Sequence, residues 1–181
     1  NLPEGSSEDE QDRVFDSFLE KAHVKGIKVI FDIAINHTGW AASLHESHPH
    51  WLVRGPEGKI QVPGAWGVRW EDLTKLDYSQ KDLWRYMAEV FITWCNRGVD
   101  GFRYDMAEMV PVEFWSYLNS SIKAVNPDAF LLAEVYTPSL YRDYLQLGRM
   151  DYLYDKVGLY DTIKAVMQGK ASAQAIAPVH A

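Results

Sequence analysis

An α/β architecture with a parallel sheet is the fold class predicted here, and three observations predict it. Segments of helical period alternate with short, apolar, β-branched runs along most of the 181 residues. Four such helix and strand pairs follow one another, which calls for parallel strands joined by crossover helices. Polar and charged residues gather where each strand run ends, the edge at which such sheets bind ligands.

The elements follow in order. Over residues 8–24, Val14, Phe15, Phe18, Leu19 and Ala22 recur at three and four and predict one buried helical face. Glu8, Asp9 and Glu10 suit the positive end of that helix, and Gly26 stops it. The run 27–35 is almost continuously apolar, the pattern of a strand covered on both faces. A second helix is expected over 80–96, with Leu83, Met87, Val90, Phe91 and Trp94 inward, ending at Gly98 before a strand at 99–104. Pro111 opens a third helix through Phe114, Tyr117, Leu118 and Ile122, and Asn126-Pro127 closes it. A buried strand at 130–135, a helix at 138–147, a strand at 150–154 and a helix at 160–167 complete the alternation. The tail from Gly169, with Ala171, Ala173, Ala175 and Ala177, lacks bulky residues and is expected to fray.

Composition narrows the function. A net charge of −7 and a pI near 5.3 supply no counter-charge for a phosphate backbone, so nucleic acid is not an expected partner and a neutral ligand is. No apolar run reaches the roughly 20 residues that span a bilayer, so no membrane partner is expected either. A leader segment is read as absent or already removed, the chain as soluble, and its compartment, cytoplasmic or exported, as open. The single cysteine, Cys95, falls in a helical pattern and is read as a buried structural thiol.

The connection 38–75 is far longer than the usual two to six residues of such loops, and it holds Trp40, Trp51, Trp66, Trp70, His45, His48 and His50. Its indoles either form a small core of their own or stand exposed as stacking platforms for sugar rings. The histidines lack a fourth ligand at a familiar spacing, and zinc is not expected.

The strand ends carry the chemistry. Asp32, Asn36 and His37 mark the first, Arg103 and Asp105 the second, and Glu134 the third. Parallel strands bring these distant positions to one edge. Asp32, Arg103, Asp105 and Glu134 are read either as a structural ion-pair network or as a catalytic set. In the catalytic reading one carboxyl is kept ionised beside Arg103 and another is pushed towards its neutral form by apolar walls, the division of labour between nucleophile and general acid that glycoside cleavage needs.

These residues also carry a resemblance. Asp32-Ile33-Ala34-Ile35-Asn36-His37, Gly101-Phe102-Arg103-Tyr104-Asp105 and Leu132-Ala133-Glu134 resemble, in order, the first three conserved regions of the α-amylase family of glycoside hydrolases, family 13. The resemblance implies a (β/α)8 barrel of TIM type, present as a partial barrel of about strands three to six. Residues 1–37 would be a barrel segment, 38–78 a short domain B insertion and 79–181 a second barrel segment. Asp105 would be the nucleophile that forms a glycosyl-enzyme, and Glu134 the general acid and then base. Arg103 would hold Asp105 ionised, His37 would bind the sugar, and Asp32 would support Arg103. The substrate would be an α-glucan or maltooligosaccharide, cleaved with retention and with the two carboxyls about 5 to 5.5 Å apart.

Departures from the family pattern refine this. A whole barrel takes roughly 250 residues, and no fourth region with its third carboxylate follows Glu134. The chain therefore reads as an excerpt of a longer enzyme, inactive alone and prone to associate through open sheet edges. Glu108 and Met109 stand where many amylases place Lys-His. Many members bind calcium through the asparagine of the first region and a nearby acid, but Lys75 stands at the acid's place, and an ammonium opposes a cation that wants oxygen ligands. No cofactor is expected to be required, and Asn36 is a metal ligand only if calcium binds. The alternative to a retaining glycosidase is a non-catalytic carbohydrate-binding or scaffold relative; a metal-dependent lyase is a third reading, which does not explain the three motifs.

Overall fold

A computed structural model describes residues 5–180. Helix α1 spans Glu8–Val24 and opens with a capping box in which Ser7 and Glu10 satisfy each other's backbone N–H groups. Strand β1, Ile30–Ala34, follows, and then β2, His37–Gly39. The short helix α2, Leu44–Ser47, and a 3-10 turn at Pro49–Trp51 lead to the hairpin of β3, Gly64–Ala65, and β4, Val68–Arg69. Strand β5, Leu73–Lys75, returns to pair antiparallel with β2. Helix α3, Lys81–Asn96, strand β6, Gly101–Asp105, helix α4, Val112–Val125, and strand β7, Phe130–Ala133, come next. Helix α5, Tyr141–Gln146, strand β8, Tyr152–Leu153, and helix α6, Asp161–Met167, end the alternation.

The main sheet runs β1-β6-β7-β8, and every neighbouring pair in it is parallel. Its alternation decides what each face does. Phe102, Tyr104, Leu131 and Ala133 point to the helical side and are fully buried with Phe91, Phe114, Trp115, Leu118 and Ile122. Tight ring contacts fill that layer, with centroids 4.7 Å apart for Phe91 and Phe102 and 4.4 Å for Tyr104 and Trp115. Arg103 and Asp105, two apart on β6, therefore share the opposite face. Strand β6 can approach β7 this closely because residue 101 is glycine: a Cβ there would lie 2.0 Å from the carbonyl oxygen of Phe130. Buried Asn119 ties the layer together, accepting from the Tyr104 hydroxyl at 2.7 Å and donating to the Gly148 carbonyl at 2.7 Å.

Several expectations need correction. Among the described residues strand β1 pairs with β6 alone, and Ile30 and Asp32 are exposed while Phe31 and its helical-side neighbours pack. On α1, Val14 and Phe18 are exposed, and only Leu19 and Ala22 are buried, because a single sheet edge lies beneath the helix. The helix expected over 138–147 begins as a 3-10 turn at Pro138–Leu140, where proline removes an N–H donor. Before α6 the chain forms a π turn at Lys156–Tyr160, capped by the Asp155 carboxylate on the N–H groups of Gly158 and Leu159. The alanine-rich tail does not fray into irregular coil but winds as a 3-10 run at Ala173–His180. Among the described residues, no helix is long and apolar enough to cross a membrane.

Candidate active site

Parallel pairing sets the candidate residues side by side. Asp32 on β1 faces Arg103 on β6 in register, and Ala34 faces Asp105. Residue 134 leaves the end of β7, and its backbone N–H donates to the Tyr104 carbonyl at 3.0 Å while its carbonyl accepts from Ala107 at 3.1 Å. The backbone thus fixes Glu134 against the strand that carries Asp105.

Arg103 is the hub. Its Nη1 donates to Asp32 Oδ1 at 2.9 Å and to Asp105 Oδ1, and its Nη2 lies 3.3 Å from Glu134 Oε2. The guanidinium also lies over the Tyr154 ring, 5.2 Å from its centroid. Side-chain exposure separates the three acids: 70% for Asp32, 33% for Asp105 and 9% for Glu134. Asp32 is thus a wet, supporting contact, whereas the other two occupy a partly dry cleft. Asp105 and Glu134 also influence each other's ionisation.

The charge distribution departs from the expected one. Burial is the largest influence on Asp105 and raises its pKa; the neighbouring Glu134 adds to this, and Arg103 only partly offsets it. Burial also opposes ionisation of Glu134, but hydrogen bonds from the Tyr136 hydroxyl and the Met106 N–H outweigh it and lower the pKa. Ionisation is therefore disfavoured at Asp105 and favoured at Glu134 in the substrate-free pair. Arg103 does not favour Asp105 alone, since it touches both carboxyls, and the acid has two further donors that the apolar flanks of Glu134 in sequence do not reveal.

His37 is half-buried, and desolvation lowers its pKa despite the nearby charges of Asp105 and Asp72. Its imidazole is thus neutral, and its Nδ1 is buried with no hydrogen-bond partner among the described residues. It packs edge-on against Trp70 with centroids 5.9 Å apart.

Asn36 is buried; its amide donates to Met109 Sδ at 3.4 Å, and its Oδ1 has no partner among the described residues. That orphaned oxygen suits a cation, but no group of three or more His, Cys, Asp and Glu side chains is arranged to hold a metal among the described residues. The loop histidines have separate partners: His45 meets Thr74 Oγ1 at 3.0 Å, His50 meets Asp82 Oδ2 at 2.7 Å, and His48 stacks on Trp51 at 3.9 Å.

The indoles of the long connection divide by burial. Trp51 is buried, whereas Trp40 and Trp66 are exposed. Trp66 sits at the tip of the β3–β4 hairpin at φ 50°, beside Gly67 at φ 80°. Two positive φ values are what a two-residue hairpin turn demands, and tryptophan is an unfavourable choice for the first. Its ring lies 5.5 Å from that of Tyr136.

Sequence reasoning missed Tyr136, Met106 and the role of Glu108. Tyr136 stands two residues beyond Glu134, and on extended backbone that spacing returns a side chain to the same side. That parity was the available signal. The left-handed turn at Met106, φ 51°, which aims its N–H at Glu134 Oε2 at 2.9 Å, has no signature in the residue type.

The family profile described as alpha amylase, catalytic domain, matches residues 10–155. An alpha-1,4-glucan:maltose-1-phosphate maltosyltransferase of Methylacidiphilum infernorum is 34% identical over 136 residues, 74% of this chain. The corresponding protein of Chlorobaculum tepidum is 32% identical over 126 residues, 68% of this chain. The chain spans only 20% and 19% of those two relatives. Among solved structures, an alpha-amylase from Lactobacillus plantarum superposes with a TM-score of 0.78 at 27% identity, covering 91% of this chain and 40% of that one. The four parallel strands are accordingly part of a (β/α)8 barrel of TIM type.

Proposed function

Because the chain belongs to the α-amylase family, and in its full-length form is an enzyme of that family, we propose that it supplies the catalytic pair of a retaining glycosidase acting on α-glucans or maltooligosaccharides. The observation that carries this reading is the single guanidinium of Arg103 in contact with both Asp105 and Glu134. Two carboxyls gathered by one guanidinium suit the closely spaced pair of double displacement better than the wider pair of an inverting enzyme.

In the first step, Asp105 as carboxylate attacks the anomeric carbon while Glu134 gives its proton to the departing glycosidic oxygen. The bond to the leaving group breaks as the ester to Asp105 forms. In the second step, Glu134, now a carboxylate, takes a proton from the incoming hydroxyl, which displaces Asp105 and restores the starting configuration. For the first step Glu134 must be protonated and Asp105 ionised, the reverse of the direction in which their surroundings bias them in the free cleft. His37, neutral and with Nδ1 unpaired, is suited to hydrogen-bond a sugar hydroxyl. Residues 38–78 serve as an insertion bordering the cleft, with Trp66 exposed beside Tyr136.

The incoming hydroxyl is water in a hydrolase and a sugar in a transferase. The relatives named maltosyltransferases favour keeping transfer as a second reading. The test is Asp105→Asn in the full-length protein, assayed on maltodextrins for new reducing ends and for chain-length redistribution. Both activities should fall by several orders of magnitude. Saturable oligosaccharide binding without any turnover in the wild type would instead support a non-catalytic relative.

A further inference from the structure

Resting on the glycosidase reading, we propose that Tyr136 is a positioning residue that decides when Glu134 carries the proton, and that Glu108 holds Tyr136 in the place where it does so. The Tyr136 hydroxyl donates to Glu134 Oε1, while the Met106 N–H donates to Oε2 at 2.9 Å and Arg103 Nη2 lies 3.3 Å from the same oxygen. Both oxygens are thus engaged as acceptors, an arrangement that favours the carboxylate. The phenol remains the donor, since its bond to Glu134 above all pushes its pKa up to about 12.

Tyr136 is in turn held from the other strand. Glu108, three residues after Asp105, accepts the backbone N–H groups of Tyr136 and Thr137 through Oε2, both at 3.0 Å. The Trp66 ring packs against that of Tyr136 with centroids 5.5 Å apart. A carboxylate downstream of the nucleophile therefore fixes the residue downstream of the acid. The groups that bear on Glu134 are Arg103 and Asp105 from β6, Tyr136 from its own loop and the Met106 amide, with Glu108 acting through the backbone of 136 and 137. A general acid must be protonated when the glycosidic oxygen arrives. A bound sugar that draws off the Tyr136 hydroxyl removes a donor from the carboxylate and so favours proton uptake by Glu134.

The experiment compares wild type, Tyr136→Phe, Glu108→Gln and Glu108→Ala in the full-length protein. Two readouts are used: carboxyl titration by difference infrared spectroscopy, with Glu134→Gln to assign the band, and the pH profile of kcat/KM on maltodextrins. Removing the hydroxyl takes a donor from the ionised form, so the Glu134 band and the alkaline limb should both move up by roughly one pH unit. Glu108→Ala should move them in the same direction, while Glu108→Gln, which keeps an acceptor oxygen, should stay near wild type. An active Tyr136→Phe enzyme with both readouts unmoved overturns the proposal and leaves the glycosidase reading intact. An unshifted Glu108→Ala overturns the part assigned to Glu108. A wild type without turnover whose Glu134 band still moves in Tyr136→Phe overturns the glycosidase reading while supporting the Tyr136 contact.

Discussion

Replacing Arg103 with lysine tests the site most directly, because one guanidinium serves three acids and an ammonium cannot. Arg103 reaches Asp32 at 2.9 Å and Glu134 at 3.3 Å while also contacting Asp105. The Asp32 contact is 70% exposed on the acid's side and contributes little. Each of the other two is a charge-assisted contact in a partly dry cleft, worth about 1.5 to 3 kcal/mol. Lysine keeps the positive charge as a single point without the planar fork, so it can serve one partner well. Retaining one of the two leaves a loss of about 1.5 to 3 kcal/mol in transition-state stabilisation, roughly 10- to 200-fold in kcat/KM. The assay is steady-state turnover of maltodextrins by the full-length Arg103→Lys variant, with circular dichroism and the thermal midpoint as controls for folding. A folded variant within about threefold of wild type would refute the hub role, because such a ratio corresponds to well under 1 kcal/mol.

Two predictions concern the scaffold. Asn119→Leu strands the buried Tyr104 hydroxyl and the Gly148 carbonyl, and should destabilise the protein in urea by about 2 to 6 kcal/mol, at about 1 to 3 kcal/mol for each unpaired group; adding Tyr104→Phe should recover part of it, and a cost below about 1 kcal/mol would contradict the account. Asp100 is largely buried, and although burial raises its pKa, bonds from the Val29 N–H at 2.7 Å, His23 at 2.8 Å and Lys28 at 3.4 Å prevail and lower it. Its stabilisation is therefore complete above the ordinary aspartate value of about 4 and lost as pH falls below it. The stability gap between wild type and Asp100→Asn should be constant near neutrality and close in acid; a gap that widens on acidification would reverse the sign.

The alternation of helices and strands was legible because the apolar period of α3 and α4 coincides with the face they bury, through Leu83, Met87, Phe91, Phe114, Leu118 and Ile122. Exposure was less legible: Val14 and Phe18 carry a core period on α1, yet period reports which side a helix turns inward, not whether anything lies there. The convergence of Asp32, Arg103, Asp105 and Glu134 followed from parallel pairing and strand-end position alone. Their charge states did not, because the decisive donors to Glu134 are a backbone amide and a phenol whose aim depends on the turn at Met106 and on the anchoring by Glu108. Asn119 was overlooked as a polar residue within an apolar helical face; only the three-dimensional neighbours of its amide explain it.

The left-handed turn at Met106 has a mechanical consequence. The peptide unit that follows Asp105 is the same one whose amide grips Glu134, so the spacing of the two acids is gauged by a single rigid link of main chain. Loops around the cleft can be exchanged, lengthened or re-sequenced without resetting that gauge. Diversification of what is recognised is thereby uncoupled from the stereochemical course of what is done to it.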